Sequence, residues 1–337
     1  IYNIYDLIIY MILFLFIILL CFIIVNFYLK KNEAYTGFKT TLFFDELKNK
    51  NYDVDENKMI TSCKNNNCQQ ANYAYHFNDP NAVRLVKDKI STSTILKKNN
   101  IPVPKFKKIN MTDSQPNIME NFQYPIIIKP VNGTFGQDVH VNIENNKELG
   151  EILQKVKKSK YKNFMMEDYI EGNVYRIFVF RNKIIDVVKR EKPFVIGNGT
   201  CSLRILIEEK NDQLKKDGLF PTTNLSAKYL FLQGVNMDTI IPKGKRIIIS
   251  QVINLHNGAP IEQIDMKNIP YINNKLFINV GKVLGINCYG LDYISKDITQ
   301  PFNQGKNMIL EVNGTPDTEI HTNVDTSFFK KIVDNIF

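Results

Sequence analysis

Three groups of residues in this 337-residue chain have types and spacing suited to polyphosphate chemistry. The first is Lys129, which ends the apolar run 124–129 and is followed by the loop Asn132-Gly133-Thr134-Phe135-Gly136. A lysine at a strand end, with glycine-loop amides beyond it, surrounds phosphate oxygens with positive charge and N–H donors. The second is Glu167-Asp168-Tyr169-Ile170-Glu171-Gly172, where carboxylates close an apolar stretch and enter a turn. Carboxylates and exposed backbone groups in that setting can fix an adenine amine and a ribose. The third is Asp292 on one expected strand and Glu311-Val312-Asn313 on another. Alternate strand residues share a face. Glu311 and Asn313, with Asp292 on a neighbouring strand, would therefore offer three oxygen ligands to a Mg²⁺ ion bridging phosphates. Each group alone is weak, since surface acids and strand-end lysines are common. Their order along one chain carries the information.

These side chains need strands that end together and loops that close over them. The hydrophobic pattern supplies candidates. Helices are expected at 91–99, 148–156 and 272–284, with another beginning after Gly197-Asn198-Gly199-Thr200 and running through Leu206. Strands are expected at 124–129, 139–143, 164–169, 175–180, 183–190, 246–249, 289–294 and 308–313. Strands often follow strands, with helices between the groups, which argues for an α+β fold over repeated βαβ units. Residues 30–80 read as polar, Asn-rich loops, with a short amphipathic piece at 42–47 that packs on the main body.

Composition narrows the class. Hydrophobic residues are 44% and charged residues 23% of the chain, and Gly and Pro are sparse, so disorder, collagen and coiled coil fail as descriptions of its bulk. The five cysteines are odd in number and scattered, which fits a reducing compartment better than a disulfide framework. Cys63 and Cys68 lack a second Cys/His pair at zinc spacing and read as ordinary thiols. A net charge of +9 suits polyanionic ligands. No zinc-finger or aromatic-basic RNA motif accompanies it, and nucleic acid is not expected.

Residues 7–29 are almost wholly apolar and lack Lys and Arg. As a helix they would span about 34 Å, enough to cross hydrocarbon. Asp6 lies before the run and Lys30-Lys31 after it, and no small-residue cleavage site follows. The expectation is a retained single-pass anchor in a lipid bilayer, with the C-terminal body cytoplasmic.

From about Asp88 to His321 the chain resembles ATP-grasp ligases, closest to the ATP-grasp part of cyanophycin synthetases and bifunctional glutathione synthetases. The residues that carry the likeness are Asp88-Lys89 with Ile101-Pro-Val-Pro104, Ile128-Lys129-Pro130 with the Gly133/Gly136 loop, and Glu167 to Gly172 with Tyr175-Arg176. After Arg190 come Val195-Ile-Gly-Asn-Gly-Thr200, Asn254-Leu255 with Gly258, Gly290-Leu-Asp-Tyr-Ile294, and Leu310-Glu-Val-Asn-Gly-Thr-Pro316 with His321. The resemblance implies an ATP-grasp α+β fold at 88–337, with a lid at about 105–170. It would be preceded by a tail (1–6), the transmembrane helix (7–29) and a linker or reduced accessory domain (30–87).

It also implies roles. Lys89 and Lys129 would contact ATP phosphates, and Gly133, Thr134 and Gly136 would belong to the lid loop. Glu167, Asp168 and Ile170 would line the adenine hinge. Asp292, Glu311 and Asn313 would hold Mg²⁺ or Mn²⁺, and Arg176, Arg190 and Asn254 would act in catalysis. The reaction would activate a small carboxylate as an acylphosphate and let an amine, such as an amino acid or peptide, displace phosphate. Self-association is left open. Four positions depart from the pattern: Val174 stands where a ribose-binding acid is usual, Ser250 where a basic residue is, Glu319 where an arginine is, and Asp138 where a lid glycine is. They imply a different substrate, or a nucleotide-binding module with little or no ligase turnover.

Overall fold

The computed structural model describes residues 40–336, except 55–58, 65–66, 73–76, 110–117 and 134–135. Its centre is a five-stranded antiparallel sheet in the order β12-β9-β8-β13-β14. The strands are β8 (Asn173–Phe180), β9 (Lys183–Arg190), β12 (Ile261–Gln263), β13 (Cys288–Ser295) and β14 (Met308–Asn313). A second antiparallel sheet has the order β4-β7-β5-β6, from β4 (Phe106–Ile109), β5 (Ile126–Pro130), β6 (His140–Ile143) and β7 (Phe164–Asp168). β10 (Phe194–Ile196) pairs with β11 (Arg246–Ile248) beside helices α5 (Leu203–Lys216) and α6 (Ala227–Leu232).

Strand alternation divides the central sheet into two chemical faces. Tyr175, Ile177 and Val179 of β8, with Leu291 and Tyr293 of β13, enter the largest apolar core. Helix α7 (Tyr271–Leu284) covers that core with Leu276, Phe277, Val280 and Leu284. It stops at Gly285, whose φ of 67° is the left-handed cap that glycine adopts without a Cβ clash. Gly281, inside this helix, admits Tyr289: a Cβ there would lie 2.4 Å from the ring. The other face carries Val174, Arg176 and Phe178 of β8, and Gly290, Asp292 and Ile294 of β13. Register sets Asp292 opposite both Arg176 and Glu311.

Segments outside the ligand-bearing region also order the sheet. Helix α1 (Thr40–Asn49) buries Phe43 and Leu47 against Phe178, Phe180 and helix α8 (Phe328–Val333). Asn78 precedes helix α2 (Pro80–Lys87) and clamps both ligand-bearing strands. Its Nδ2 donates to the carbonyls of Cys288 (2.6 Å) and Gly314 (2.8 Å), and its Oδ1 accepts from the amides of Asn287 and Cys288 (2.8 Å each). The stretch expected to be loops at 30–80 instead holds a three-stranded meander of β1 (Asp53–Val54), β2 (Met59–Lys64) and β3 (Asn67–Asn72). Its polar composition gives little strand signal, so the pairing was not legible.

One expectation is corrected. Among the described residues no helix is long and apolar enough to cross a membrane. The longest, α5 and α7, have 14 residues, about 21 Å against the roughly 30 Å of a hydrocarbon core. Residues 7–29 lie outside the described residues. The described residues form an α+β fold with no membrane-spanning helix among them, which overturns the expected anchor and with it the membrane localisation with a cytoplasmic body.

Candidate active site

The open face of the central sheet concentrates charge. Asp292 is 9% exposed and lies between two guanidinium groups: Arg176 Nη1 is 3.2 Å from Oδ1 and Arg190 Nη2 is 2.9 Å from Oδ2. Burial pushes the Asp292 carboxyl up, but Arg176, Arg190 and Lys129 more than offset it and hold the group below the usual carboxylate range. The opposite residue on β14, Glu311, is 3.2 Å from Lys89 Nζ. Asn313 pairs with Gly290 one step along. Gly290 is required here: a Cβ would lie 2.7 Å from Arg176 Nη1 and 3.1 Å from Pro316.

The second sheet supplies the other wall. Register places Glu167 opposite Ile127 and Met165 opposite Lys129, so Lys129 and Glu167 are diagonal neighbours. Their side chains pair at 2.6 Å with both groups almost fully buried. Lys129 is thus not the replaceable surface lysine that its place at a strand end allows. The loop beyond it turns back toward the body. Lys89, at the first position of helix α3 (Lys89–Lys98), donates to the Gly133 carbonyl at 2.8 Å. Gly136 has φ 69°, and its Cβ position is 3.7 Å from Asn254 Nδ2. Thr134 lies outside the described residues. Asp138, where the resemblance expects glycine, keeps a left-handed backbone at φ 52°, a region Asp enters more readily than most residues. A polar clamp ties this sheet to the β10–β11 unit: Lys228 of α6 meets Glu148, in helix α4 (Asn146–Lys157), at 2.8 Å and Glu144 at 3.1 Å.

Between the two sheets an apolar strip adjoins the charges. Ile170, Val174 and Ile294 form it, with Ile253, Met308 and Leu310 against them. Asp168 is half-buried at the end of β7. Val174, which stands where the resemblance expects an acid, is part of this apolar packing. Ser250 is fully buried, and its Oγ accepts from the Val252 amide (3.1 Å) and Asn257 Nδ2 (3.0 Å). These bonds brace the turn that presents Asn254. Arg246 cannot stand in, since it pairs with Glu191 at 2.8 Å and stacks on Phe194 at 3.7 Å.

The residues expected in the site thus gather on one pair of facing walls: Arg176, Arg190, Asp292, Glu311 and Asn313 on the central sheet, and Lys129 and Glu167 on the other. Lys89, Gly133, Gly136 and Asn254 join them at the rim. Sequence reasoning missed Asp186, Asp317 and His256. Asp186 is 1% exposed and His321 0%, and they pair at 2.7 Å. An acid inside the apolar run Ile184-Ile185-Asp186-Val187-Val188 was the available signal of a buried charge.

Several buried atoms in this region lack hydrogen-bond partners: Arg176 Nε and Nη1, Arg190 Nε, Asp292 Oδ1 and His321 Nε2. The Arg176–Asp292 ion pair is close but not aligned as a hydrogen bond. Native interiors leave few such atoms, and four of these five belong to the Arg176, Arg190 and Asp292 group. Carboxylate and amide oxygens on neighbouring strands also fit the donor set of a hard divalent cation.

Residues 86–216 match the family described as RimK-like ATP-grasp domain. The chain carries an ATP-grasp domain. It is 29% identical over 249 residues to cyanophycin synthetase of Synechocystis sp., covering 71% of this chain and 28% of that protein. It is 25% identical over 246 residues to the glutathione biosynthesis bifunctional protein GshAB of Clostridium perfringens, covering 70% of this chain and 32% of that one. The chain therefore spans about a third or less of these relatives. The crystal structure of a bifunctional glutathione synthetase from Pasteurella multocida shares the fold, with a TM-score of 0.57 and 19% identity over 87% of this chain and 42% of that one. These relatives are ATP-grasp ligases, a class that uses ATP and a divalent metal ion and takes amino acid or peptide substrates.

Proposed function

We propose that the chain is an ADP-forming carboxylate–amine ligase working through an acylphosphate. The observation that carries this reading is the sequence of environments along one face: the apolar strip at Ile170, Val174 and Ile294, then the charges of Lys129, Arg176, Arg190, Asp292 and Glu311. That order matches a nucleotide's own polarity, from base to triphosphate. Glu167, Asp168 and Ile170 would receive adenine, and Lys89 and Lys129 the phosphates. Asp292, Glu311 and Asn313 would hold Mg²⁺, which when bound supplies charge neutralisation on the phosphates. Arg176 and Arg190, fixed by their shared carboxylate, would keep positive charge where a transferring phosphoryl group gathers negative charge. Asn254 and the Gly133–Gly136 segment would close over the reacting groups and exclude water. Residues 105–170 would move as the lid, with Lys228 releasing or re-forming its clamp on Glu148.

A second reading, nucleotide binding with little turnover, is favoured by one observation: Ser250 is buried where the resemblance expects a basic residue, and Arg246 is engaged with Glu191 and Phe194. ADP release by the full chain with Mg·ATP, measured against panels of carboxylates and amines, separates the two. Turnover that requires both a carboxylate and an amine supports the ligase. Saturable Mg·ATP binding with no ADP release under any pairing would overturn it in favour of the binding module.

A further inference from the structure

Spacing alone reads Cys63 and Cys68 as ordinary thiols, and strand register changes that reading. β2 and β3 pair antiparallel with Met59 opposite Asn72, Cys63 opposite Cys68 and Lys64 opposite Asn67. The two cysteines are therefore direct cross-strand partners, one step in from the end of the ladder. Residues directly opposite in an antiparallel ladder have Cα atoms about 4.5 Å apart in a non-hydrogen-bonded pair and about 5.5 Å apart in a hydrogen-bonded one. A disulfide spans Cα separations of about 4.4–6.8 Å. Either kind of pair lies within that reach, and neither strand has to shift.

Two further observations single out this pair. Residues 57–78 include Lys58, Lys64 and His76 and contain no Asp or Glu. The thiolate is the attacking species, and positive surroundings lower a thiol's pKa. Cys288, by contrast, is 2% exposed, and burial pushes its thiol far up, so it stays protonated and inert. Cys201 stands at the entry to helix α5. Among the described residues no other two cysteines are strand partners. The strands themselves also leave a task for a covalent link. Register is held by apolar alternation where one face is buried, and polar strands slip more easily. β3 reads Asn-Cys-Gln-Gln-Ala-Asn, without such alternation.

We propose that Cys63 and Cys68 form a reversible cross-strand disulfide whose oxidant is a small-molecule disulfide of the glutathione type. The proposal is independent of the ligase reading. The Cys63 thiolate, next to Lys64, attacks one sulfur of glutathione disulfide and expels a glutathione thiolate, which leaves a mixed disulfide. The Cys68 thiolate then attacks the Cys63 sulfur and expels the second glutathione thiolate. Two electrons pass from the cysteine pair to glutathione disulfide, and the two cysteine protons end on the two glutathione thiols. A dithiol reductant reverses both steps. The bond fixes the β2–β3 register.

The test equilibrates the full chain, folded and in denaturant, with mixtures of reduced and oxidised glutathione. Free thiols are then blocked, and the chain is digested with trypsin without reduction. Trypsin cuts after Lys58 and Lys64, so the bond is read as peptide 59–64 held to the peptide that begins at Asn65. The linked pair is expected in the folded chain, with an equilibrium constant at least tenfold larger than in the denatured chain, and lost on treatment with dithiothreitol. Cys63→Ser and Cys68→Ser should each abolish the linkage and leave a glutathione adduct on the remaining cysteine. Equal constants in the folded and denatured chain would overturn the proposal, as would wild-type protein that carries only glutathione adducts. Linkage of Cys63 to another cysteine, or to a second chain, would do the same. Zinc bound by the reduced wild type and lost in both variants would assign the pair to a metal site instead.

Discussion

Replacing Asn78 with alanine removes four hydrogen bonds that join the start of β13 to the residue after Asn313. The side chain is 8% exposed, so the bonds to Cys288 and Gly314 lie out of water. Asn287 is exposed, and water replaces the bond to its amide. Three losses then count. Each buried group left unpartnered costs about 1–3 kcal/mol, so the variant should lose about 3–4 kcal/mol even with some relaxation. At about 2–3 °C per kcal/mol for a domain of this size, its melting temperature should fall by about 6–12 °C. Mg·ATP affinity should fall too, because Gly314 holds the end of the strand that carries Glu311 and Asn313. Thermal melts with and without Mg·ATP read both effects. A fall of less than about 2 °C would refute the clamp.

Three further outcomes are expected. Lys129→Ala should destabilise the apo protein by about 3–5 kcal/mol, because it leaves Glu167 buried without its partner; Lys129→Met with Glu167→Leu should recover much of this in chemical denaturation, and equal losses would contradict the pairing. Gly290→Ala should displace Arg176 and lower nucleotide affinity at least tenfold, while unchanged affinity in calorimetry would show that the guanidinium is not needed where it stands. His321 has a folded pKa below its unfolded value of about 6.5, chiefly through burial, so the unfolded chain takes up a proton below that pH and the folded chain does not. Stability present above pH 6.5 is therefore lost as pH falls toward the folded pKa. His140, lowered by burial in the same way, shares this acid limb, so His321→Gln should show a shallower loss between pH 7.5 and 5.5 in denaturation midpoints. An unchanged slope would contradict a neutral buried His321.

The sheet strands were legible where the apolar run was long and bounded. Expected strands at 183–190 and 308–313 coincide with β9 and β14. The α7 helix begins one residue before its expected start, where Pro270 fixes the entry. Short strands such as β10 and β12, with three residues each, carry too little alternation to declare themselves. The Asp292, Glu311 and Asn313 arrangement was readable because strand period fixes which residues share a face. What escaped was long-range. Nothing local says that Asn78 reaches Cys288 and Gly314, that Asp186 meets His321 across 135 residues, or that Ser250 is buried under its own turn. Those contacts depend on how the elements pack.

The central claim is that the open face of the central sheet binds Mg·ATP. Calorimetric titration of Mg·ATP into the full chain and into Glu311→Gln tests it most directly, because the Glu311 side chain is 29% exposed and its loss should spare the fold. The account predicts one-to-one, Mg²⁺-dependent binding to the wild type, weakened at least tenfold in the variant, with melting temperatures of the apo proteins within about 2 °C. No saturable binding to the wild type, or equal affinity in both proteins, would contradict it.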